Sequence, residues 1–136
     1  MERMSFRMLL TISAVVGLGV TIAFGLVPAQ LFAAFGTAPL DGRMLFMARL
    51  VGALALGNTL LAWFSRDIAE TRIQNAISVA FFGGSASGSL VFLLAMLPGK
   101  VNPAGWGVVV LGSSLALAYA YFYSLTRPRR VQRKAG

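Results

Sequence analysis

The sequence predicts an all-α protein, a compact bundle of four transmembrane helices. Three observations support this fold class. First, 57% of the 136 residues are hydrophobic and only 12% are charged, whereas a soluble domain has about 25% charged residues. Second, the charges are grouped between long uncharged segments. Third, each of those segments carries a stripe of small residues. Because a soluble fold of this size buries too little surface to hide such a chain, we expect lipid to be its solvent.

Four segments are free of charge, at residues 8–40, 50–65, 73–99 and 101–126. A helix that crosses the hydrocarbon core needs about 20 residues. The second segment has only 16, so its helix must begin near Met44 and carry Arg49 into the membrane. We therefore predict spans 1 to 4 at residues 8–27, 44–64, 73–97 and 105–125. They form one domain, 1–125, followed by a basic tail, 126–136.

Helix-ending residues agree with these limits. Pro28, Pro98 and Pro128 each follow a span, where a residue that cannot continue a helix belongs. Asp67 and Glu70 resemble a capping box, which predicts that the helix of span 3 begins near Ile68. Span 1 also resembles a signal peptide, but its apolar run is longer than the usual 7 to 15 residues, which favours an uncleaved helix.

The segment 29–36 is too short to cross a membrane. Leu31, Phe32 and Phe35 fall on one helical face, which predicts a short helix lying in the membrane interface. An irregular loop is the alternative.

The basic residues predict an orientation. Alternating the spans across the membrane places nine Lys and Arg residues on the side of both termini, and only Arg43, Lys100 and the nearby Arg49 on the other. By the positive-inside rule, both termini of this multi-pass protein are expected in the cytoplasm.

Small residues predict where the helices meet. Lipid does not drive apolar surfaces together, so helices in a membrane associate through the packing contacts that close backbone approach allows. Each span has such residues along one face. The positions expected at helix contacts are Gly17, Gly52, Ala55, Gly84, Gly88, Gly112 and Ala116.

Two polar residues within span 2 are candidates for a binding site. Arg49 is near enough to the end of the span to extend its side chain to the headgroups. Alternatively, it binds a lipid phosphate, a quinone carbonyl, a carboxylated ligand or a partner subunit, with Asp41 the only acidic residue on its side. Asn58 lies deeper, where an amide usually forms a hydrogen bond between helices; a ligand or pore role is the alternative.

The tail contains five cations and no acid, namely Arg127, Arg129, Arg130, Arg133 and Lys134. Such a tail is expected to lie on anionic lipid or to contact an acidic partner. No aromatic residue interleaves the cations, so nucleic-acid binding is not expected.

The residue inventory argues against catalysis. The chain contains no Cys and no His, and only four acidic residues. The common nucleophile pairs and the usual haem and metal ligands are therefore missing. We expect that the protein is not an enzyme and that it binds no metal and no cofactor.

Pro28 follows helix 1, Gly36 follows a short apolar segment, and Arg49, Gly52 and Ala53 form a pattern early in helix 2. In these positions the first half of the chain resembles small four-helix bacterial integral membrane proteins of unknown function. The resemblance covers mainly helices 1 and 2. It implies a four-helix fold and a bacterial inner membrane, without implying an activity.

Three functions fit these observations. The first, which they favour, is an accessory or assembly subunit packed against a larger membrane protein complex of other membrane protein subunits. The second is a binder or carrier of an apolar small molecule, such as a lipid, quinone or pigment, anchored by Arg49. The third, a small transporter or channel, is disfavoured because no span contains a carboxylate.

Overall fold

The computed structural model describes residues 5–37, 39–99 and 102–126. Within these ranges the chain is all-helical and has no strand. The helices are α1 (Phe6–Gly25), α2 (Pro28–Ala34), α3 (Gly42–Ser65), α4 (Thr71–Met96) and α5 (Gly105–Thr126). All except α2 are long and apolar enough to cross a membrane. Their ends lie within two residues of the predicted spans, so the four long helices are confirmed.

The long helices begin and end at residues with specific local roles. The hydroxyl of Ser5 accepts the N–H of Met8 at 3.2 Å and caps α1. Pro98 follows α4, and Gly99 continues the chain with a φ of +68°, a left-handed conformation that favours glycine. Pro28 does not only follow α1, because it is also the first residue of α2, where its missing N–H has no cost.

The prediction that the third long helix begins near Ile68 is wrong, because α4 begins at Thr71. The N–H of Ile68 instead bonds the carbonyl of Ser65 at 3.2 Å, which continues the end of α3 as a turn. The Asp67 carboxylate is engaged by Arg7 at 3.2 Å and by Arg66 at 3.5 Å. The proposed capping residue therefore joins the start of α1 to this turn.

The long helices form two hairpins. In the first, α1 lies against α3, and in the second, α4 lies against α5. Backbone approach is closest where Gly52 of α3 meets Gly25 of α1: a Cβ at Gly52 would lie 2.6 Å from the Gly25 nitrogen. In the second hairpin Gly112 of α5 faces the side chain of Ser89 on α4.

The two hairpins meet through a buried cluster near one end. That end carries the start of α1, the turn between α3 and α4, and the end of α5, and we call it the terminal end. Ser13 of α1 and Tyr119 of α5 are both buried, and their hydroxyl oxygens lie 2.6 Å apart in a hydrogen bond. The Phe81 ring of α4 stacks on Tyr119 with centroids 5.3 Å apart. The apolar members of the cluster are Phe6, Leu9, Leu10, Ala14, Ala62, Tyr119 and Phe122.

The predicted short helix after span 1 is confirmed as α2, and we call the end of the molecule that carries it the α2 end. At this end Asn102 connects the residues after α2 to the start of α5. The backbone N–H of Asn102 donates to the carbonyl of Phe35 at 3.0 Å, and its side-chain N–H donates to Ala34 at 2.8 Å. Gly36 has a φ of +70° and lies against the Asn102 side chain. The segment after α2 is thereby fixed to the start of α5.

Candidate functional site

A partly open cleft of about 620 Å³ separates the two hairpins on the α2 side of the buried cluster. Its α1 wall begins at Val16, just after the cluster residue Ala14, and its α5 wall ends at Leu115, just before the buried Ala116. Between α1 and α5 the cluster therefore bounds the cleft toward the terminal end, whereas the α3–α4 side is not bounded by it. On the α2 side, the lining includes Leu31 of α2 and Phe35, the residue that caps this helix. We call residues 28–35 the α2 segment.

Glycines on two helices leave part of the cleft unfilled. Gly19 of α1 and Gly84 and Gly88 of α4 all line it, and a Cβ added to any of them would meet nothing within 4 Å. Gly84 and Gly88 were expected at a close helix contact, and this expectation needs correction. Their missing side chains leave space between the hairpins and do not bring two backbones together.

The walls of the cleft are almost wholly apolar. Among the described residues that line it, only Ser85 and Ser89 have a side-chain oxygen, and the Ser89 hydroxyl already donates to the Ser85 carbonyl at 2.9 Å. Ligand-binding cavities in proteins usually measure about 300 to 1,000 Å³. An apolar cavity without polar partners stays dry and accepts apolar molecules. The cleft therefore has the size and lining of a site for an apolar molecule.

A smaller cavity of about 220 Å³ adjoins the cleft and shares Phe24, Phe35 and Phe92 with it. The rings are arranged in two edge-on pairs. Phe24 meets Phe32 of α2 with centroids 6.0 Å apart, and Phe35 meets Phe92 of α4 at 5.8 Å. These aromatic pairs connect α1, the α2 segment and α4, and they form the boundary between the two cavities.

A third cavity, of about 250 Å³, lies between α3 and α4 and contains Asn58 in its lining. An amide at this depth was expected to bond across helices. Among the described residues the Asn58 side chain forms no such bond, and it faces the cavity together with Ala80, Phe81 and Ser85. The cavity shares Gly84 and Ser85 with the large cleft.

The structure does not bring together the three residues predicted to form a binding site. Arg49 is exposed on α3 and lines none of the three cavities described above. The Asp41 carboxylate accepts the N–H of Met44 at 2.8 Å and caps α3. Asp41 precedes Arg49 by eight residues, or about 12 Å along the helix axis, and in the described part of the chain no ion pair joins them. Asn58 lies a further nine residues, or about 14 Å, along α3.

The remaining small residues expected at contacts occupy varied positions. Gly17 of α1 lies directly against the Thr59 side chain of α3. Ala55 is half-buried on α3, and Ala116 is buried on α5. Gly17, Gly52 and Gly112 thus each contact the neighbouring helix of their own hairpin.

Two important positions were not singled out by sequence reasoning. Tyr119 is fully buried, and a tyrosine well inside an apolar span is a signal that its hydroxyl needs a partner. Asn102 lies in the loop before α5 and precedes Pro103, a position typical of a turn-forming asparagine. The predicted tail cations, Arg127, Arg129, Arg130, Arg133 and Lys134, lie outside the described residues.

No protein-family model, curated protein or solved structure matches this chain.

Proposed function

We propose that this chain is a multi-pass membrane protein that binds an apolar molecule, such as a lipid chain, in the cleft between its two hairpins. The observation that carries this proposal is the cleft itself, about 620 Å³ in volume and lined almost entirely by apolar side chains. The residue inventory contains no Cys or His, which supports binding or carriage and not catalysis.

The membrane setting is part of the proposal. Each of the four long helices is long and apolar enough to span a bilayer, and most of their large apolar side chains are exposed, as expected for surfaces that contact lipid. The positive-inside rule favours a cytoplasmic terminal end. Leu31 of α2 and Phe35, which caps that helix, line the cleft, and this end of the protein then lies near the opposite membrane surface.

The cleft offers a way for a lipid chain to enter from the side. It is partly open, and α1 and α4 face it with glycines, so no side chain from Gly19, Gly84 or Gly88 obstructs it. In the membrane an unoccupied gap of this size would fill with acyl chain, because a void forfeits the dispersion contacts of its walls. Specific binding means that the protein retains such a chain after extraction from the membrane.

The test is native mass spectrometry of protein extracted in a mild detergent. We expect the wild-type protein to retain a lipid-sized mass and the Gly88→Leu variant to lose it, because the leucine side chain would occupy the cleft. Gly83→Leu is the matched control: Gly83 lies on the same helix, a Cβ there meets nothing within 4 Å, and it does not line any of the three cavities. Equal retention by both variants, or no retained mass in the wild type, would refute the proposal.

An accessory subunit of a larger membrane complex is the second candidate. It is supported by Gly83 and Ser87 of α4, which are exposed one turn apart. Small residues of this kind allow another helix to approach closely. The same experiment separates the two functions. Partner chains that accompany the wild type and Gly88→Leu but are lost from Gly83→Leu would favour the subunit.

A further inference from the structure

We infer that the site takes an amphiphile whose head group is neutral and hydrogen-bonding, with a carbonyl or hydroxyl held by Asn58 and Ser85 and an apolar tail in the cleft. The inference rests on the proposed function and specifies its ligand. It is carried by the way in which the third cavity, which contains these two polar side chains, adjoins the large apolar cleft.

The two cavities meet at one short piece of α4. Gly84 and Ser85 belong to the lining of both, and a Cβ at Gly84 would meet nothing within 4 Å. A molecule that fills the cleft can therefore extend past Gly84 without meeting a side chain there. The volumes are also unequal, about 620 Å³ against about 250 Å³, which matches a larger tail and a small head group.

The polar groups of the third cavity are available to a ligand. On α4 the hydroxyls of Ser78, Ser87 and Ser89 each donate to a carbonyl of the preceding turn. In the described part of the chain, by contrast, the side chains of Asn58 and Ser85 form no hydrogen bond. An amide and a hydroxyl within an apolar span are costly without partners, and a ligand carbonyl or hydroxyl would satisfy them.

The same surroundings exclude a charged head group. The third cavity is lined by Asn58, Leu61, Ala80, Phe81, Gly84 and Ser85, none of which carries a charge. An ion at this depth would lose its hydration without gaining a counter-charge. Arg49, the only charged residue within the predicted spans, precedes Asn58 by nine residues on α3, which is about 14 Å along the axis.

The experiment uses three photoreactive probes with the same chain length and a mid-chain diazirine: hexadecanol, the corresponding hydrocarbon, and the carboxylic acid in its ionised form. Each is titrated into the purified full-length protein in detergent, and the labelled fraction and labelled peptides are measured by mass spectrometry. We expect half-saturation by the alcohol at a concentration about two- to tenfold lower than for the hydrocarbon, as one hydrogen bond provides. The label should map to cleft-lining peptides of α1, α4 and α5.

Variants identify the groups that hold the head. Asn58→Leu should abolish the preference for the alcohol while leaving hydrocarbon labelling unchanged, and Ser85→Ala should reduce the preference. Ser114→Val is the control, because it also replaces an exposed polar residue within an apolar helix but lines none of the three cavities. It should behave as the wild type.

Each result has a separate meaning. Equal half-saturation by alcohol and hydrocarbon, a preference that survives Asn58→Leu, or tighter labelling by the ionised acid would overturn the inference and leave an apolar site intact. Failure of all three probes to label the wild type saturably would overturn the proposed function itself.

Discussion

Replacing Gly52 by alanine is expected to destabilise the first hairpin by forcing α1 and α3 apart. A Cβ at Gly52 would lie 2.6 Å from the nitrogen of Gly25, 2.8 Å from its Cα and 3.0 Å from the carbonyl carbon of Phe24. All three are backbone atoms of α1, which cannot rotate away as a side chain can. The helices must therefore separate along a length of contact to admit a single methyl group.

The magnitude follows from two opposing effects. Overpacking of a tight contact costs about 1 to 3 kcal/mol, and the contact with backbone places Gly52→Ala toward the upper part of that range. Replacing glycine by alanine in a helix stabilises the helix by about 0.5 to 1 kcal/mol. The net loss of stability should then be about 1 to 2 kcal/mol.

Gly57→Ala is the matched control. It lies five residues further along α3, and a Cβ there meets nothing within 4 Å, so it gains the helix propensity without the clash. The difference between the two variants isolates the overpacking cost. It can be measured as the free energy of unfolding by sodium dodecyl sulfate in mixed micelles, followed by circular dichroism. If Gly52→Ala proves as stable as Gly57→Ala, the close approach of α1 and α3 at this point is refuted.

Two further predictions concern the contacts at either end of the bundle. The double-mutant cycle of Ser13→Ala and Tyr119→Phe should give a coupling free energy of about 0.6 to 1.7 kcal/mol in the same unfolding assay, as measured for hydrogen bonds between membrane helices; additive effects would mean that the two hydroxyls do not interact. Asn102→Ala removes the side-chain hydrogen bond to the Ala34 carbonyl, so amide exchange in the segment after α2 should accelerate while exchange around Ser13 stays unchanged. An unaltered exchange rate after α2 would show that Asn102 does not hold this segment.

The helix positions could be predicted from the sequence because they depend on quantities that are local to the chain. Uncharged length identified α1, α3, α4 and α5, and the helical face formed by Leu31, Phe32 and Phe35 indicated α2. The predicted start of α4, near Ile68, was wrong because an aspartate such as Asp67 can form two kinds of interaction. Its carboxylate could cap a helix or bind a cation, and Arg7, distant in sequence, is one of the cations it binds.

The candidate site was less predictable. The sequence makes Arg49 a candidate because it is the one charge that the spans do not require, yet it is exposed and lines none of the three cavities. Asn58 was identified, but its cavity was not, because the empty space beside it depends on the distance between α3 and α4. No local pattern encodes that distance.

The sequence alone was enough to predict where the helices run and that four of them are apolar enough to cross a membrane, since hydropathy, charge and helix-ending residues act over one or two turns. What the glycines do depends on the tertiary structure. Gly52 brings two backbones together, whereas Gly84 and Gly88 leave a cleft open. A glycine permits close approach but does not attract a neighbour, so its role depends on whether larger side chains elsewhere hold the helices apart. Here the buried cluster around Tyr119 joins the hairpins at the terminal end, and the aromatic pairs of Phe24, Phe32, Phe35 and Phe92 border the cleft near α2.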